Sequence, residues 1–352
     1  MKTFVSGLLL AGALSLAAGA ANAGAIAPNA TPITFDSGFG NITVGGQLSG
    51  LAYYQTNDTH AFPGDASAFL DVDNAMVSVA KTDGFFQFYV QAGLYSFPTV
   101  GIPYDKSSDQ NSFLGAVPVA YGKFQLTDTF SISAGKLPTL VGAELPFTMQ
   151  NSNIERGLLW WQEPVVSRGV QANYASGPLS IAVSWNDGYY SNVWNTFSGL
   201  ISYAFDSANT LAFDASITPD RNTVPGGQIY DLMYTYNSAP WTVGPYVQYQ
   251  TASQGGGDEW GVGLLASYQF TPEWSLNGRA EYETSSNSSF LLPFGPGSDA
   301  WSFTVTPTWQ KGIFYIRGEA SYASLGSNTV GYGKAFDKND QFRVMLETGI
   351  SL

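Results

Sequence analysis

Side chains able to do covalent or metal chemistry are nearly absent from this sequence, which has one histidine, His60, and no cysteine. A Ser–His hydrolase or an Asp–His protease would have to run through His60, near Asp58, as its only imidazole. An incidental loop histidine is the simpler reading. Zinc is not expected, because its sites draw mainly on Cys and His. Gly255-Gly256-Gly257 does not sit between a strand and a helix, so it is no phosphate cradle. Neither a cofactor nor an enzymatic reaction is expected.

Charge at regular spacing is what remains. Arg279, Glu281 and Glu283 fall two residues apart, as do Arg317 and Glu319, and Arg343 and Glu347 lie four apart. Even spacing in an extended chain puts such residues on one face. Lys123, Asp71, Asp73, Asp214 and Asp231 share that parity on other segments. Charges lining one wall can select among ions, or can be a solvated surface of local pairs. Both readings stay open.

The segments that carry these charges alternate in hydropathy. Trp274, Leu276, Gly278, Ala280 and Tyr282 interleave with Ser275, Asn277, Arg279, Glu281 and Glu283. Trp301, Phe303, Val305, Pro307 and Trp309 interleave with Ser302, Thr304, Thr306 and Thr308. Period two is the mark of a strand with one apolar face. Aromatic residues recur at both ends of these faces, at Trp241 and Tyr249, Trp274 and Tyr282, Trp301 and Trp309, and Phe314 and Tyr322. Eight steps of about 3.3 Å, tilted by about 40°, rise roughly 20 Å, close to the apolar band between two aromatic girdles of a membrane barrel.

Composition agrees. The chain is 15% aromatic and only 12% charged, and after the first residues no apolar stretch approaches the roughly 18 needed for a spanning helix. Lys2, the apolar run Phe4 to Ala18 and Ala21-Asn22-Ala23 read as a signal peptide over residues 1–23. An exported, charge-poor chain without spanning helices can satisfy its backbone in lipid by closing into a barrel. Residues 24–40, rich in Ala, Pro and Gly, read as an irregular lead-in, and 41–352 as the barrel.

Sixteen strands are expected, near 42–54, 69–81, 85–95, 114–126, 130–137, 166–174, 179–186 and 197–205, then 211–217, 229–236, 241–250, 260–270, 274–283, 300–309, 313–323 and 341–352. Alternation is weakest in the second, sixth and eighth. Short turns, such as Thr82-Asp83-Gly84 and Gln310-Lys311-Gly312, alternate with mostly longer Gly/Ser/Asn-rich loops. Seven short turns and eight longer loops suit an all-β, antiparallel transmembrane barrel of sixteen strands with both ends in the periplasm. The last strand runs to the end of the chain, like the terminal signal of outer-membrane barrels, although Leu352 stands where those usually carry Phe.

Pro138 to Val165 is the unusual connection. It mixes Glu144, Glu155 and Arg156 with Leu158, Leu159, Trp160 and Trp161, so it must fold against something. Either it enters the lumen and narrows it, or it caps the rim or a partner subunit. Gly135-Lys136, Thr139, Gly142-Ala143-Glu144, Asn153, Arg156, Leu158-Leu159-Trp160 and Pro164 through Arg168-Gly169-Val170 resemble the signature of the β-barrel porin-2 (OmpL-like) outer-membrane proteins. The resemblance covers about thirty-five residues and implies an outer-membrane porin, with a general pore role for Glu144 and Arg156.

The resulting expectation is passive diffusion of small hydrophilic solutes and ions through a water-filled lumen, against the alternative of a non-conducting structural or adhesive barrel. Glu144, Glu155, Arg156, Arg279, Glu281, Arg317, Glu319, Arg343 and Glu347 are the candidate constriction and selectivity residues. Outer-membrane lipid, lipopolysaccharide, small solutes and the barrel-assembly machinery are the partners implied. A homotrimer is common in similar porins, though no residue specifies one. The acidic balance, −13 before cleavage, argues against nucleic acid. Lys136 and Arg168 carry lipid-facing parity near the outer rim, but a register shift would turn them inward.

Overall fold

Alternation of period two becomes sixteen antiparallel strands closed on themselves. The computed structural model describes residues 25–59, 65–219, 227–252, 256–289, 291–328 and 330–352. In the first half lie β2 (Asn41–Gln55), β3 (Ala68–Lys81), β4 (Phe86–Tyr95), β5 (Val119–Gln125), β6 (Phe130–Pro138), β7 (Val166–Ser176), β8 (Leu179–Asn186) and β9 (Thr196–Ala204). The second half holds β10 (Asn209–Ile217), β11 (Gly227–Ser238), β12 (Trp241–Ala252), β13 (Asp258–Gln269), β14 (Trp274–Ser285), β15 (Asp299–Lys311), β16 (Phe314–Ser327) and β17 (Asp340–Ser351). Each pairs with its sequence neighbour, and β17 closes the ring on β2 with Arg343 opposite Gln55 and Ser351 opposite Gln47. Closure leaves no strand edge unpaired in lipid.

Burial runs opposite to that of a soluble sheet. In β15 the apolar residues Trp301, Phe303 and Val305 are exposed, whereas Ser302, Thr304, Thr306 and Thr308 are buried. The apolar face therefore looks outward and the polar face inward, as lipid outside and a polar lumen require. Cross-strand register gathers the aromatic ends into two belts. Tyr249 lies opposite Trp260 and Tyr282 opposite Trp301 in one, and Trp241 opposite Tyr268 and Trp274 opposite Trp309 in the other. Ring contacts of 4.7 Å join Trp241 to Tyr268 and Tyr282 to Trp301.

Four details depart from the sequence reading. The strand expected at 114–126 is shorter, because Ser107–Leu114 forms a helix, α1, and pairing begins at Val119. Residues 24–40 are not wholly irregular, since β1 (Ile33–Asp36) pairs with Asn41–Val44 at the short-turn end. The slipped alternation in β3 is a β-bulge, where the register against β2 shifts between Ser49 and Gly50 and turns both Asp73 and Asn74 inward. A bulge adds a residue to one strand and resets its facing. Finally, the loop from Ser96, expected outside the barrel, turns back inward over its first residues. The proposed signal peptide and His60 lie outside the described residues.

Lys136 and Arg168 keep the outward parity and stand opposite each other at the long-loop end. Neither charge is left to lipid. Lys136 Nζ donates to the carbonyls of Leu114 and Val117, and Arg168 pairs with Asp187 at 2.6 Å while stacking on the Tyr190 ring at 4.0 Å.

Candidate functional site

A loop that crosses a barrel has no strand partner for its backbone, so its N–H and C=O groups must be satisfied by side chains. The stretch from Thr139 to Val165 does enter the lumen, and the wall charges are placed to meet it. Glu319 accepts the N–H groups of Ile154 and Glu155 at 2.5 and 2.8 Å. Glu281 accepts Leu158 N–H at 2.9 Å, and Asp214 accepts Gly142 N–H at 3.2 Å. Arg317 donates to the carbonyls of Thr148 and Asn151 at 3.1 and 3.0 Å. Carboxylates thus cap the loop's donors and guanidinium groups its acceptors.

Ion pairs knit the same residues together. Arg279 reaches Glu144 at 2.7 Å and Glu281 at 3.3 Å, and also donates to the Glu155 carbonyl at 2.6 Å. Arg343 pairs with Glu155, and Arg317 with Glu347. Of the nine candidate residues, then, Arg279 and Arg343 pair with acids of the loop, while Arg317 holds the loop through its carbonyls. Arg156 has no carboxylate partner within ion-pair distance among the described residues. Its guanidinium sits over the rings of Phe97 and Trp160 and donates to the Ser96 carbonyl at 3.2 Å. Residues 96–102 accompany the loop inward, where Val100 N–H bonds the Arg156 carbonyl and Arg343 donates to the carbonyls of Thr99 and Ile102.

Apolar packing completes the fit. Leu140, Ala143 and Leu159 of the loop lie against Leu200, Met233 and Leu265, which break the polar pattern of the inner wall. Each such leucine is worth about 1.5–3 kcal/mol when fully buried. Gly261 makes the seat for Leu159, since a Cβ there would come within 2.2 Å of its side chain. On the opposite side Phe147 packs with Met76, Tyr95 and Val119. From the short-turn end Ile26 donates its N–H to the Met149 carbonyl at 3.1 Å.

The outcome is a lumen filled at mid-height. None of the nine candidate residues is more than 4% exposed. Gln91, Ser133, Gln171 and Ala182, on the wall away from the arginines, are buried too. Toward the short-turn end Tyr89, Tyr121 and Lys123 are only half-buried.

The sequence reading overlooked three contributors. Thr148 is fully buried and bonds Asp73, Asn74 and Glu347. Ser96 donates to Asp73. Glu163 accepts from Gln248 at 3.1 Å, and its second oxygen has no partner. Burial pushes the Glu163 carboxyl well above the usual carboxylate range, and Asp231, Glu144 and Glu281 push it the same way. A usable signal existed in Leu200, Met233 and Leu265, apolar residues at lumen parity that needed a partner inside. No group of acids, histidines or cysteines among the described residues could hold a metal ion.

A closed sixteen-strand barrel with a lipid-facing apolar band and a loop folded across a polar lumen is the architecture of an outer-membrane porin. Residues 41–352 match the family described as Putative beta-barrel porin-2, OmpL-like, and the chain belongs to that family. Solved structures with a similar fold include an anion-selective porin from Comamonas acidovorans, at 11% identity and a TM-score of 0.62, covering 88% of this chain and 99% of that one. OmpT, an outer membrane protein of Vibrio cholerae, is 12% identical with a TM-score of 0.62 and coverage of 92% and 100%. OmpF of Salmonella typhi is 10% identical with a TM-score of 0.59 and coverage of 91% and 100%. No curated protein matches the chain.

The barrel therefore lies in the bacterial outer membrane with its short turns in the periplasm and its long loops outside. Cysteines at Gly256 and Ser327 should label on intact cells with an impermeant thiol reagent, and one at Asp83 should not. Labelling at Asp83 alone would invert the barrel.

Proposed function

We propose that the barrel lets small hydrophilic solutes and ions diffuse passively across the outer membrane, with the loop Thr139–Val165 as the element that restricts passage. The observation that carries this reading is the loop itself. It is anchored to the inner wall by side-chain contacts and not by a β-ladder, so the wall can stay closed while the loop shifts. Every strand-to-strand bond of the barrel is independent of it. On this reading the arginines and carboxylates at its anchors hold the loop and set ion preference, and no reaction is involved.

A second reading, a barrel that conducts nothing, is favoured by the burial of all nine anchor residues. Purified protein in a planar lipid bilayer separates the two. Discrete, sustained conductance steps are expected. Silent bilayers from protein that still migrates as a heat-modifiable folded barrel would favour the non-conducting reading.

A further inference from the structure

On the extracellular side, above the loop, lies a cavity of about 900 Å³. Of the 23 described residues that line it, ten are aromatic, contributed by five different outer segments. Trp160 and Trp161 come from the constriction loop, Tyr189 and Tyr190 from the β8–β9 connection, Phe294 from the β14–β15 loop and Phe336 from the β16–β17 loop. All ten rings lie in the connections between strands and none on the lipid-facing side of a strand. Phe113, Trp161 and Phe336 are exposed at the lip, at 60, 46 and 46%, whereas Trp160 and Phe294 are buried on the floor. A concave, mainly apolar surface with a few polar groups is the form of a small-molecule site.

Backbone conformation supports a built site. Tyr189, Tyr190 and Phe336 have φ of 47°, 59° and 56°, in the left-handed region that bulky residues rarely adopt. Such conformations persist where surrounding structure enforces them, and they gather at ligand sites.

The sign of the charge selects the ligand. Asp105 and Glu163 are the only ionisable carboxylates among the described lining residues, none of which is Lys, Arg or His. Lys136 and Arg168 stack on Tyr190, and Arg156 on Trp160 and Phe97, but none of the three is a lining residue. Glu163 is 4% exposed and has no ion pair among the described residues, and its Oε2, beside Gly142, has no hydrogen-bond partner. Burial disfavours the charged form of such a carboxyl, and a cation bound beside it favours that form again. Aromatic faces attract the same ligand through their quadrupoles.

We propose that this extracellular cavity binds a hydrophobic organic cation, its apolar body against the aromatic walls and its charge toward Glu163. The site stands whether or not the barrel conducts, so its test needs no current.

Tetraphenylphosphonium is the probe, titrated by calorimetry into the folded, detergent-solubilised barrel and checked by tryptophan fluorescence. Saturable binding is expected. Glu163→Gln, which keeps the side-chain shape, should weaken it by about tenfold or more, as loss of a desolvated charge partner does. Trp161→Ala should weaken it severalfold through the lost ring face. Glu273→Gln, at the periplasmic end, should leave it unchanged. Tetraphenylborate has a similar shape and the opposite charge, and it should not bind. Equal binding of the borate, or undiminished binding by folded Glu163→Gln protein, would overturn the proposal, and so would the absence of saturable binding. Should Glu163→Gln fail to fold, Asp105→Asn and Trp161→Ala decide the matter, and full-affinity binding by both would overturn it.

Discussion

Deleting Phe147 to Asn153 is expected to raise single-channel conductance, roughly threefold or more, because an unfilled barrel of sixteen strands leaves an aqueous channel. The segment is the part of the loop that spans the lumen between the Arg317 side and the Phe147 pocket. It also meets the chain entering from the periplasmic end, at Met149. None of its residues pairs with a wall strand through a ladder, so the sixteen strands keep all their inter-strand bonds. Arg317 loses two carbonyl acceptors and keeps Glu347. The groups freed by the deletion face a lumen that water can then enter, so the barrel should still show heat-modifiable migration. Conductance equal to that of the full chain, in protein folded by that criterion, would show that solutes do not pass this loop.

Arg317→Ala should destabilise the barrel by about 3–5 kcal/mol, the usual cost of removing one partner from a buried ion pair. Arg317 and Glu347 are both fully buried, and Tyr315 donates to Glu347 at 2.8 Å, so the carboxylate is held in place after the arginine is lost. The midpoint of guanidinium unfolding in lipid vesicles measures the effect. A change under about 1 kcal/mol would mean that water reaches the pair as it reaches a surface pair. Replacing Arg279, Arg317 and Arg343 together carries a second readout. Glu144, Glu155, Glu281 and Glu347 would then lose their cationic partners. The zero-current potential in a salt gradient should move further toward cations, and more so at low salt, where screening extends beyond the roughly 8 Å of 0.15 M solution. A shift toward anions, or none, would place these residues away from the conducting path.

Much of this was legible without coordinates. Trp274 to Tyr282 and Trp301 to Trp309 announce strand, face and membrane contact together, because a pleated backbone sends alternate side chains to opposite sides whatever the rest of the chain does. All sixteen expected strands form, and the short turns fall where Gly, Pro, Asn and Asp break the alternation. The pairings of the site were not legible to the same degree. Arg279 with Glu144 and Arg343 with Glu155 join residues 135 and 188 positions apart. Parity puts both arginines on the inner face, yet it cannot say where an irregular loop will hang.

Local pattern, then, determines the barrel, its closure by neighbouring strands and the lipid-facing side, since each of these follows from period two and from the cost of unpaired backbone in hydrocarbon. Tertiary structure alone decided that Thr139–Val165 crosses the lumen, that the wall acids cap its N–H groups, and that residues 96–102 join it. It also decided that rings from five outer segments meet in one cavity. A loop without a repeating backbone geometry takes its shape from whichever distant groups satisfy it, and those groups become neighbours only when the ring of strands has closed.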